Sequence, residues 1–371
     1  MAGTGEGIAR YVEELVKHSA IIDNTNEYFL IYSDQFSILN SQFPNNFKII
    51  KTETPYYSFA EQTRFVGELK SLKLDLMHFP SFNVPIFYPG KFVVTIHDII
   101  HHLYPGKKKS RWFHRLAYRL VINSAVRRAS KIITVSKATR DDILKTFNIH
   151  NSPPSGDLPE GDKIQVIYEG VGDKYWEKMS NDKIRIATIK YGITKPYILF
   201  VGVWRQYKNL ERLARAFDIL KERHRLDYQL VMAGKIDPFY PEIKKAVLGI
   251  KYSYDIKALG HVPDEDLPAL YQGASVFVLP SLLEGFGLIG VEAQASGVPV
   301  AASDIPVLRE VLGEGAVYFD AQNPNAMANI IEKILRDSDL ESRLVEQGLR
   351  NAKKYDWSKT AMETLEIYKK A

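Results

Sequence analysis

One segment of the sequence reads Leu279-Pro280-Ser281-Leu282-Leu283-Glu284-Gly285-Phe286-Gly287-Leu288-Ile289-Gly290-Val291-Glu292-Ala293-Gln294-Ala295-Ser296-Gly297. It starts at the end of an apolar run, Ser275 to Leu279. It continues through a loop with one carboxylate and two glycines, and it ends in a helical pattern that Gly297 terminates. The order strand, loop, helix predicts a parallel sheet of the α/β class.

This segment also has the features of a site for a phosphorylated ligand. In open parallel sheets, ligands lie beyond the carboxyl ends of the strands, where the next helix presents unpaired N–H groups and a partial positive charge. A diphosphate would fit there, and Glu284 and Glu292 could accept hydrogen bonds from a sugar and a ribose of one bound molecule. The alternative is that Glu292 is a solvated helix residue and that Gly285 and Gly287 only form a turn.

The composition is that of a globular protein with two domains. The chain has 371 residues, of which 45% are hydrophobic and 25% charged, so a wholly disordered chain is excluded. It has no cysteine, which excludes disulfides and thiolate metal sites and fits a reducing compartment. No apolar run of about 18 residues and no signal peptide is found, so a cytoplasmic location is expected.

Basic residues are concentrated between positions 105 and 131, although the net charge of the chain is only +5. They are interleaved with aromatic and aliphatic residues, which predicts a helix with a basic face. Such a helix could contact an anionic membrane surface or a phosphate-bearing acceptor, as a peripheral attachment. The alternative is a helix that packs on its own domain and has a solvated basic face.

Short apolar runs alternate with helical patterns along most of the chain. Those before position 170 are Tyr28 to Tyr32, Phe47 to Ile50, Leu74 to Phe79, Phe92 to Ile96, Lys131 to Val135 and Ile164 to Tyr168. Those after it include Tyr197 to Gly202, Tyr228 to Gly234, Asp255 to Gly260 and Ser275 to Leu279. The alternation predicts two parallel α/β sheets, with a junction near Tyr168 to Gly172.

Three further places carry candidate functional groups. His97 and Asp98 follow a predicted strand, and a histidine can change its charge near neutral pH. Arg205 and Lys208 follow another strand, where two cations ahead of a helix suit a diphosphate leaving group. The glycine-rich residues 3–7 open into a helix, which is an arrangement that can hold a phosphate.

Glu284 and Glu292 resemble the Glu-x7-Glu signature of retaining glycosyltransferases, in particular the glycosyltransferase group 1 (GT4-like) family. The resemblance implies the GT-B fold, in which two Rossmann-like, doubly wound parallel-sheet domains face a central cleft. It implies an acceptor-side domain of residues 1–172 with a C-terminal crossing helix, 356–371, and a nucleotide-sugar-binding domain of residues 173–355. The implied reaction moves a sugar from a GDP- or UDP-linked donor to a saccharide or lipid-linked acceptor, with no cofactor and no obligatory metal.

The resemblance also implies roles for individual residues. The implied catalytic residues are His97, beside the transferred sugar, Arg205 and Lys208, at the departing diphosphate, and Glu284, at the sugar. Asp98 is expected on the acceptor side. The implied donor-binding residues, of which His261 and Val262 would act through main-chain groups, are Gly5, Gly7, His261, Val262, Gly285, Phe286, Gly287, Leu288 and Glu292.

Three places depart from the family's pattern. Only Met1 and Ala2 precede the glycine-rich loop, so the pattern lacks the strand that normally leads into it. Val203 stands where an arginine often follows the glycine. Glu169-Gly170-Val171 stands where relatives commonly carry Asn-Gly-Val.

Two other functions remain open from the sequence. A nucleotide-sugar epimerase on the same fold would need acid and base carboxylates at C2 of the donor, and the sequence offers no distinct pair. A non-catalytic polyanion-binding protein would use the basic first domain, but the presence of Lys208, Glu284 and Glu292 argues against it, and no nucleic acid partner is expected. The family's general character favours a mannosyl- or rhamnosyl-type enzyme of surface-polysaccharide assembly.

Overall fold

The computed structural model describes residues 7–32, 43–55, 58–104, 112–149, 163–223 and 225–371. The chain divides into two compact units, Met1–Gly170 with Asp356–Ala371, and Val171–Tyr355. Both units are parallel α/β structures, as the sequence predicts. None of the helices in the described ranges combines the length and the apolar character that crossing a membrane requires.

The first unit follows the alternating pattern predicted for it. Its elements in chain order are α1 (Gly7–Ile22), β1 (Tyr28–Tyr32), β2 (Phe47–Lys51), α2 (Phe59–Gln62), α3 (Arg64–Ser71), β3 (Met77–Phe79), β4 (Phe92–Ile96), α4 (Ile100–Leu103), α5 (Trp112–Arg128), β5 (Lys131–Thr134), α6 (Lys137–Thr146) and β6 (Ile164–Val166). The helical residues between β2 and β3 are divided into α2 and α3 at Thr63, where φ is −123° and ψ is −72°.

The strands of the first unit form two sheets. β1 pairs with β2 in parallel, and β3, β4, β5 and β6 lie side by side in a four-stranded parallel sheet. Within the described residues, no ladder joins β1 to β3. Every residue of β4 is buried, which its unbroken apolar run predicts.

The second unit contains one larger sheet. Its elements in chain order are α7 (Asn181–Lys190), β7 (Tyr197–Val201), α8 (Leu210–Arg223), β8 (Gln229–Ala233), α9 (Pro241–Leu248), β9 (Ile256–Gly260), α10 (Leu267–Gln272), β10 (Val276–Leu279), α11 (Leu288–Ala295), β11 (Val300–Ser303), α12 (Pro306–Leu312), β12 (Ala316–Phe319), α13 (Pro324–Arg336) and α14 (Ser338–Ala352). The six parallel strands have the order β12-β11-β10-β7-β8-β9. β8 and β9 therefore follow β7 on one side of it, and β10, β11 and β12 then follow in order on its other side. The reversal between β7 and β10 is the place where doubly wound sheets bind ligands.

The last helix, α15 (Trp357–Lys370), belongs to the first unit. Trp357 and Ala361 on α15 form a small apolar cluster with Tyr11 and Leu15 on α1. Gly170 is needed beside this cluster, because a Cβ there would lie 2.3 Å from the main-chain nitrogen of Trp357. The start of α15 thus packs directly against Gly170, which follows the last strand of the first unit.

Candidate functional site

The loops that follow β7 and β10 are hydrogen-bonded to each other at the switch point of the second sheet. The main-chain nitrogen of Leu282 donates to the oxygen of Tyr207 over 2.7 Å. The buried side chain of Asn209 donates from Nδ2 to the oxygens of Pro280, at 2.9 Å, and Ala321, at 2.7 Å. Asn209 has a φ of 59°, in the left-handed region that asparagine tolerates better than most residues. One side chain therefore fixes the carboxyl ends of β7, β10 and β12 together.

Lys208 and Glu284 form an ion pair at this edge of the sheet. Nζ of Lys208 lies 2.6 Å from Oε1 of Glu284, and the two side chains are only 12% and 10% exposed. The ammonium also lies 5.4 Å from the centre of the Tyr207 ring. A charge-assisted hydrogen bond that is screened little by water holds both groups in place. The structure thus brings together two of the predicted catalytic residues.

Arg205 contacts the loop on the other side of β7. Its Nε lies 3.3 Å from Oδ2 of Asp237, which follows β8. Oδ1 of Asp237 accepts a hydrogen bond from the main-chain nitrogen of Phe239 over 3.0 Å, so the carboxylate is itself held. The two predicted cations are therefore anchored to different neighbours of β7, Arg205 to the β8 side and Lys208 to the β10 side.

The start of α11 lies at the end of the Glu284 loop. Gly287 precedes the helix with a φ of 88°, and a Cβ there would lie 2.7 Å from Cδ2 of Leu308, so a glycine is required. Because glycine has no side chain, it gives the first turn of α11 no side-chain cap. Phe286 is buried and packs edge-on against Tyr355, with ring centres 5.3 Å apart. The predicted residues Gly285 to Leu288 thus form a fixed entry to a helix whose first N–H groups suit an anion.

Glu292 lies in the interior. It is 2% exposed, and its Oε2 accepts a hydrogen bond from the Tyr271 hydroxyl over 3.3 Å. The interpretation of Glu292 as a solvated helix residue is therefore wrong, since the helix faces it toward α10. The contact with a ribose stays a prediction.

Glycines occupy the ends of β7, β8 and β9. A Cβ on Gly234 would lie 2.0 Å from the main-chain oxygen of Gly202, and the nitrogen of Gly234 donates to the oxygen of Gly260 over 2.7 Å. The backbones at the three strand ends therefore lie close together and leave no room for a side chain at Gly234. Beyond Gly260, the side chain of His261 is exposed and that of Val262 is buried. Their predicted main-chain contacts with a donor stay a prediction.

In the first unit, His97 lies at the carboxyl end of β4. Its Nδ1 is 3.0 Å from Oε1 of Glu169, its Nε2 is 3.1 Å from the oxygen of Pro80, and the edge-on Tyr11 ring is 4.7 Å away. Oδ1 of Asp98 accepts from the nitrogen of Ile100 over 2.8 Å and so orders the start of α4. Gly7 begins α1, whereas Gly5 and residues 105–111 lie outside the described residues.

A chain of neutral polar groups lies beneath His97. The Tyr11 hydroxyl lies 3.1 Å from Oγ1 of Thr95, Thr95 lies 2.8 Å from Nε2 of His78, and Nδ1 of His78 lies 2.6 Å from the Tyr368 hydroxyl. Burial raises the pKa of both tyrosines. Burial, assisted by the neighbouring His97 ring, lowers the pKa of His78 to about 3. These hydrogen-bonded side chains connect α1, β3, β4 and α15, and all of them are neutral.

Asn209, Asp237 and Glu169 hold site residues in place but are not among the predicted site residues. Weak signals for the first two exist in the sequence, since an asparagine ahead of a helix is typical of an N-cap, and Asp237 follows the glycine that ends a strand. Glu169 is marked only by its departure from the family's pattern. No local pattern names the partner of any of the three.

Two Rossmann-like units are the fold of the GT-B class of glycosyltransferases, and solved structures confirm this fold. HepE from Anabaena, in complex with UDP-glucose, matches with a TM-score of 0.76 and 17% identity over 100% of this chain and 97% of that one. Sucrose-phosphate synthase from Thermosynechococcus elongatus matches with a TM-score of 0.74 and 20% identity over 98% of this chain and 93% of that one.

Sequence comparison gives the family. A profile described as glycosyl transferases group 1 matches residues 180–351, and one described as glycosyltransferase family 4 matches residues 6–175. The O-antigen chain mannosyltransferase B of Escherichia coli is 27% identical over 98% of this chain and 96% of its own length. The chain belongs to the group 1, family 4 glycosyltransferases, and it is an enzyme that transfers sugar residues.

Proposed function

We propose that this glycosyltransferase moves a mannosyl-type residue from a GDP- or UDP-linked donor to a saccharide or lipid-linked acceptor in surface-polysaccharide assembly. The observation that carries the proposal is the Lys208–Glu284 ion pair beside the start of α11, at the switch point of the second sheet. The name of the Escherichia coli relative supports the sugar and the acceptor. The UDP-glucose bound to HepE supports a nucleotide-sugar donor.

The chemistry of the leaving group explains why these residues are suited to the reaction. When a nucleoside diphosphate departs, negative charge concentrates on its phosphate oxygens, and fixed positive groups lower the barrier. The Lys208 ammonium and the first N–H groups of α11 are such groups. A bound diphosphate would take over the ammonium, and the Glu284 carboxylate would then accept hydrogen bonds from the sugar hydroxyls. One ion pair thus positions two groups with separate roles.

The proposal includes retention of the anomeric configuration and independence of metal ions. Attack on the face from which the diphosphate departs needs no protein nucleophile, and Lys208, Arg205 and the α11 amides would meet the phosphate charge. The anomeric configuration of the product, determined from the one-bond coupling between C1 and H1 in its NMR spectrum, tests retention. An inverted product, or a rate that EDTA abolishes and Mg²⁺ restores, would contradict this part.

A ligand screen by thermal unfolding tests the donor. Because a ligand that binds only the folded protein stabilises it by RT ln(1 + [L]/Kd), a donor at about 100 times its Kd adds roughly 2.7 kcal/mol. We expect GDP-mannose to raise the Tm, whereas ADP- and dTDP-linked sugars should have little effect. Glu292→Ala is the comparison variant, since it removes the carboxylate predicted to bind the ribose and should reduce the shift. A shift by none of the nucleotide sugars would refute the proposed donor class.

Release of the nucleotide separates transfer from other reactions. Transfer to an acceptor frees the nucleoside diphosphate only when an acceptor such as an alkyl α-mannoside is added. An epimerase would instead convert the nucleotide sugar in the absence of an acceptor. We expect release that depends on the acceptor, and formation of an epimeric nucleotide sugar would favour the other function.

We also propose that α5 contacts an anionic membrane surface on the cytoplasmic side, where a lipid-linked acceptor would be presented. Trp112, Leu116 and Leu120 recur every four residues and are 75%, 49% and 55% exposed. Arg115 and Arg119 are exposed on the same helix. An apolar stripe beside cations favours insertion at the boundary between lipid headgroups and acyl chains.

Flotation with lipid vesicles tests this contact. We expect binding to vesicles that contain phosphatidylglycerol, weaker binding to pure phosphatidylcholine, and loss of binding in a Trp112→Ser, Leu116→Ser double variant. Phe59→Ser is the control, because Phe59 is an exposed apolar residue of α2 outside the stripe. Equal binding by the double variant and the wild type would refute the proposed surface.

A further inference from the structure

The two ring nitrogens of His97 both face hydrogen-bond acceptors. Nδ1 lies 3.0 Å from Oε1 of Glu169, and Nε2 lies 3.1 Å from the oxygen of Pro80. The carbonyl oxygen accepts and cannot donate, and the same holds for an ionised carboxylate, while a neutral imidazole has only one N–H. With Glu169 ionised, both contacts are hydrogen bonds at the same time only if His97 carries two ring protons.

The anionic group next to the His97 ring is the carboxylate of Glu169. The side chains of His97 and Glu169 are 10% and 9% exposed, so water weakens their interaction little. Tyr11, which packs edge-on against the ring, stays a neutral phenol because burial raises its pKa. Asp98, the next residue in the chain, directs a carboxylate oxygen to the nitrogen of Ile100.

The backbone and the ring of His97 are fixed on several sides. The Thr139 hydroxyl donates to the main-chain oxygen of His97 over 3.3 Å. The planes of the Tyr11 and His97 rings are 85° apart, so the phenol borders one side of the imidazole. With Glu169 on Nδ1, the ring has a defined plane and a defined direction for Nε2–H.

We propose that Glu169 is a positioning residue, which holds His97 as an imidazolium with a fixed ring plane and on which sugar transfer depends. The inference rests on the proposed contact of His97 with the transferred sugar. A hydroxyl oxygen of that sugar would replace Pro80 as the acceptor from Nε2, and the contact between Nδ1 and Glu169 would be kept. Glu169 would thus act through His97 without contacting the sugar.

The ring protons of His97 can be observed without any substrate. In protein with ¹⁵N-labelled histidine, long-range ¹H–¹⁵N spectra at pH 7 distinguish an imidazolium from either neutral tautomer, and His97→Asn assigns the signal. We expect an imidazolium in the wild type and in Glu169→Asp, and a single neutral tautomer in Glu169→Gln. A neutral His97 in the wild type would overturn the proposal, even if a Glu169 variant failed to fold.

Kinetics measure whether transfer depends on this carboxylate. Because hydrogen bonds to charged groups have a larger effect than neutral ones, we expect Glu169→Gln to lower kcat by roughly tenfold to a hundredfold and to change the donor KM by less than about threefold. Glu169→Asp should keep more activity than Glu169→Gln. Glu68→Gln is the matched control, since Glu68 accepts hydrogen bonds from Thr52 and Thr54 in the same unit; it should retain wild-type kinetics.

The two measurements separate this inference from the proposed function. A wild-type enzyme that transfers no sugar refutes the proposed function, and the NMR result does not depend on turnover. An unchanged His97 signal in Glu169→Gln, or a changed signal with an unchanged kcat, overturns the positioning role while leaving the transferase activity in place.

Discussion

Replacing Asn209 by alanine should destabilise the second unit and disorder the candidate site. The side chain is buried and donates to the oxygens of Pro280 and Ala321, which lie 71 and 112 residues further along the chain. Its own Oδ1 accepts from Nη1 of Arg212 over 2.9 Å. Alanine removes all three contacts and leaves two carbonyl oxygens without this donor.

The expected loss follows from three terms. Two hydrogen bonds contribute about 1 kcal/mol each, and a carbonyl left without a partner in the interior adds at least about 1 kcal/mol. Alanine at a φ of 59° adds about 1 kcal/mol, because its Cβ crowds the following carbonyl. The sum is roughly 4 kcal/mol for Asn209→Ala. Asn209→Gly should lose about 1 kcal/mol less, since glycine adopts this conformation without strain.

Urea denaturation checks both the size and the order of these effects, through midpoints compared at equal m values. Asn148→Ala is the control, because Asn148 is exposed and has a φ of 49°, so that only the strain term applies. A loss below about 1 kcal/mol for Asn209→Ala, or a larger loss for glycine than for alanine, would refute the reasoning. Binding of the donor should weaken in both variants, because Asn209 adjoins Lys208.

Three further outcomes are expected. Lys208→Ala should lower kcat by roughly a hundredfold in a nucleotide-release assay and change the donor KM less, because the ammonium contributes most when the diphosphate departs; an unchanged kcat would contradict its role. Gly234→Ala should destabilise the protein by roughly 3 kcal/mol or more, because its Cβ would meet the oxygen of Gly202 at 2.0 Å. Gly192 has a φ of 64° and open space around it, so Gly192→Ala should cost only about 1 kcal/mol in the same unfolding assay. The pKa of His78 is lowered to about 3 from an ordinary value near 6.5, so between these pH values the unfolded chain binds a proton that the folded chain does not. The free energy of unfolding should therefore fall by about 1 kcal/mol from pH 7 to pH 5, since the residue is half-buried. His78→Gln should remove this part of the pH dependence, and a variant with the wild-type pH dependence would contradict the prediction.

The strands listed from the sequence are found in the structure because their signal is local. The runs Tyr28 to Tyr32 and Phe92 to Ile96 match β1 and β4 residue for residue, and the other predicted strands differ from the structure only at their ends. A buried parallel strand needs apolar side chains on both faces, so a continuous apolar run is enough to mark it. Strand ends are less certain, because a ladder extends only as far as its neighbour does.

The sequence names candidate residues for the site, but it gives few of the contacts between them. The sequence places Lys208 and Glu284 at strand ends, and the structure adds that they are 2.6 Å apart. For Glu292 the sequence leaves a solvated and a ligand-facing position open, and packing against Tyr271 removes the first. A helical position alone does not decide which neighbouring element covers it.

The sequence by itself determined the two α/β units, the edge of the second sheet at which its strands end and the charged residues along that edge, since these depend on periodicity and on residue type. Tertiary structure decided which of those residues are partners. Lys208 faces Glu284 and Arg205 faces Asp237 because β7 has β10 on one side and β8 on the other. His97 meets Glu169, 72 residues away, although β5 lies between β4 and β6, the strands that precede them. Strand order is set by how whole faces of helices and sheets bury their apolar surface, and no short segment contains that information.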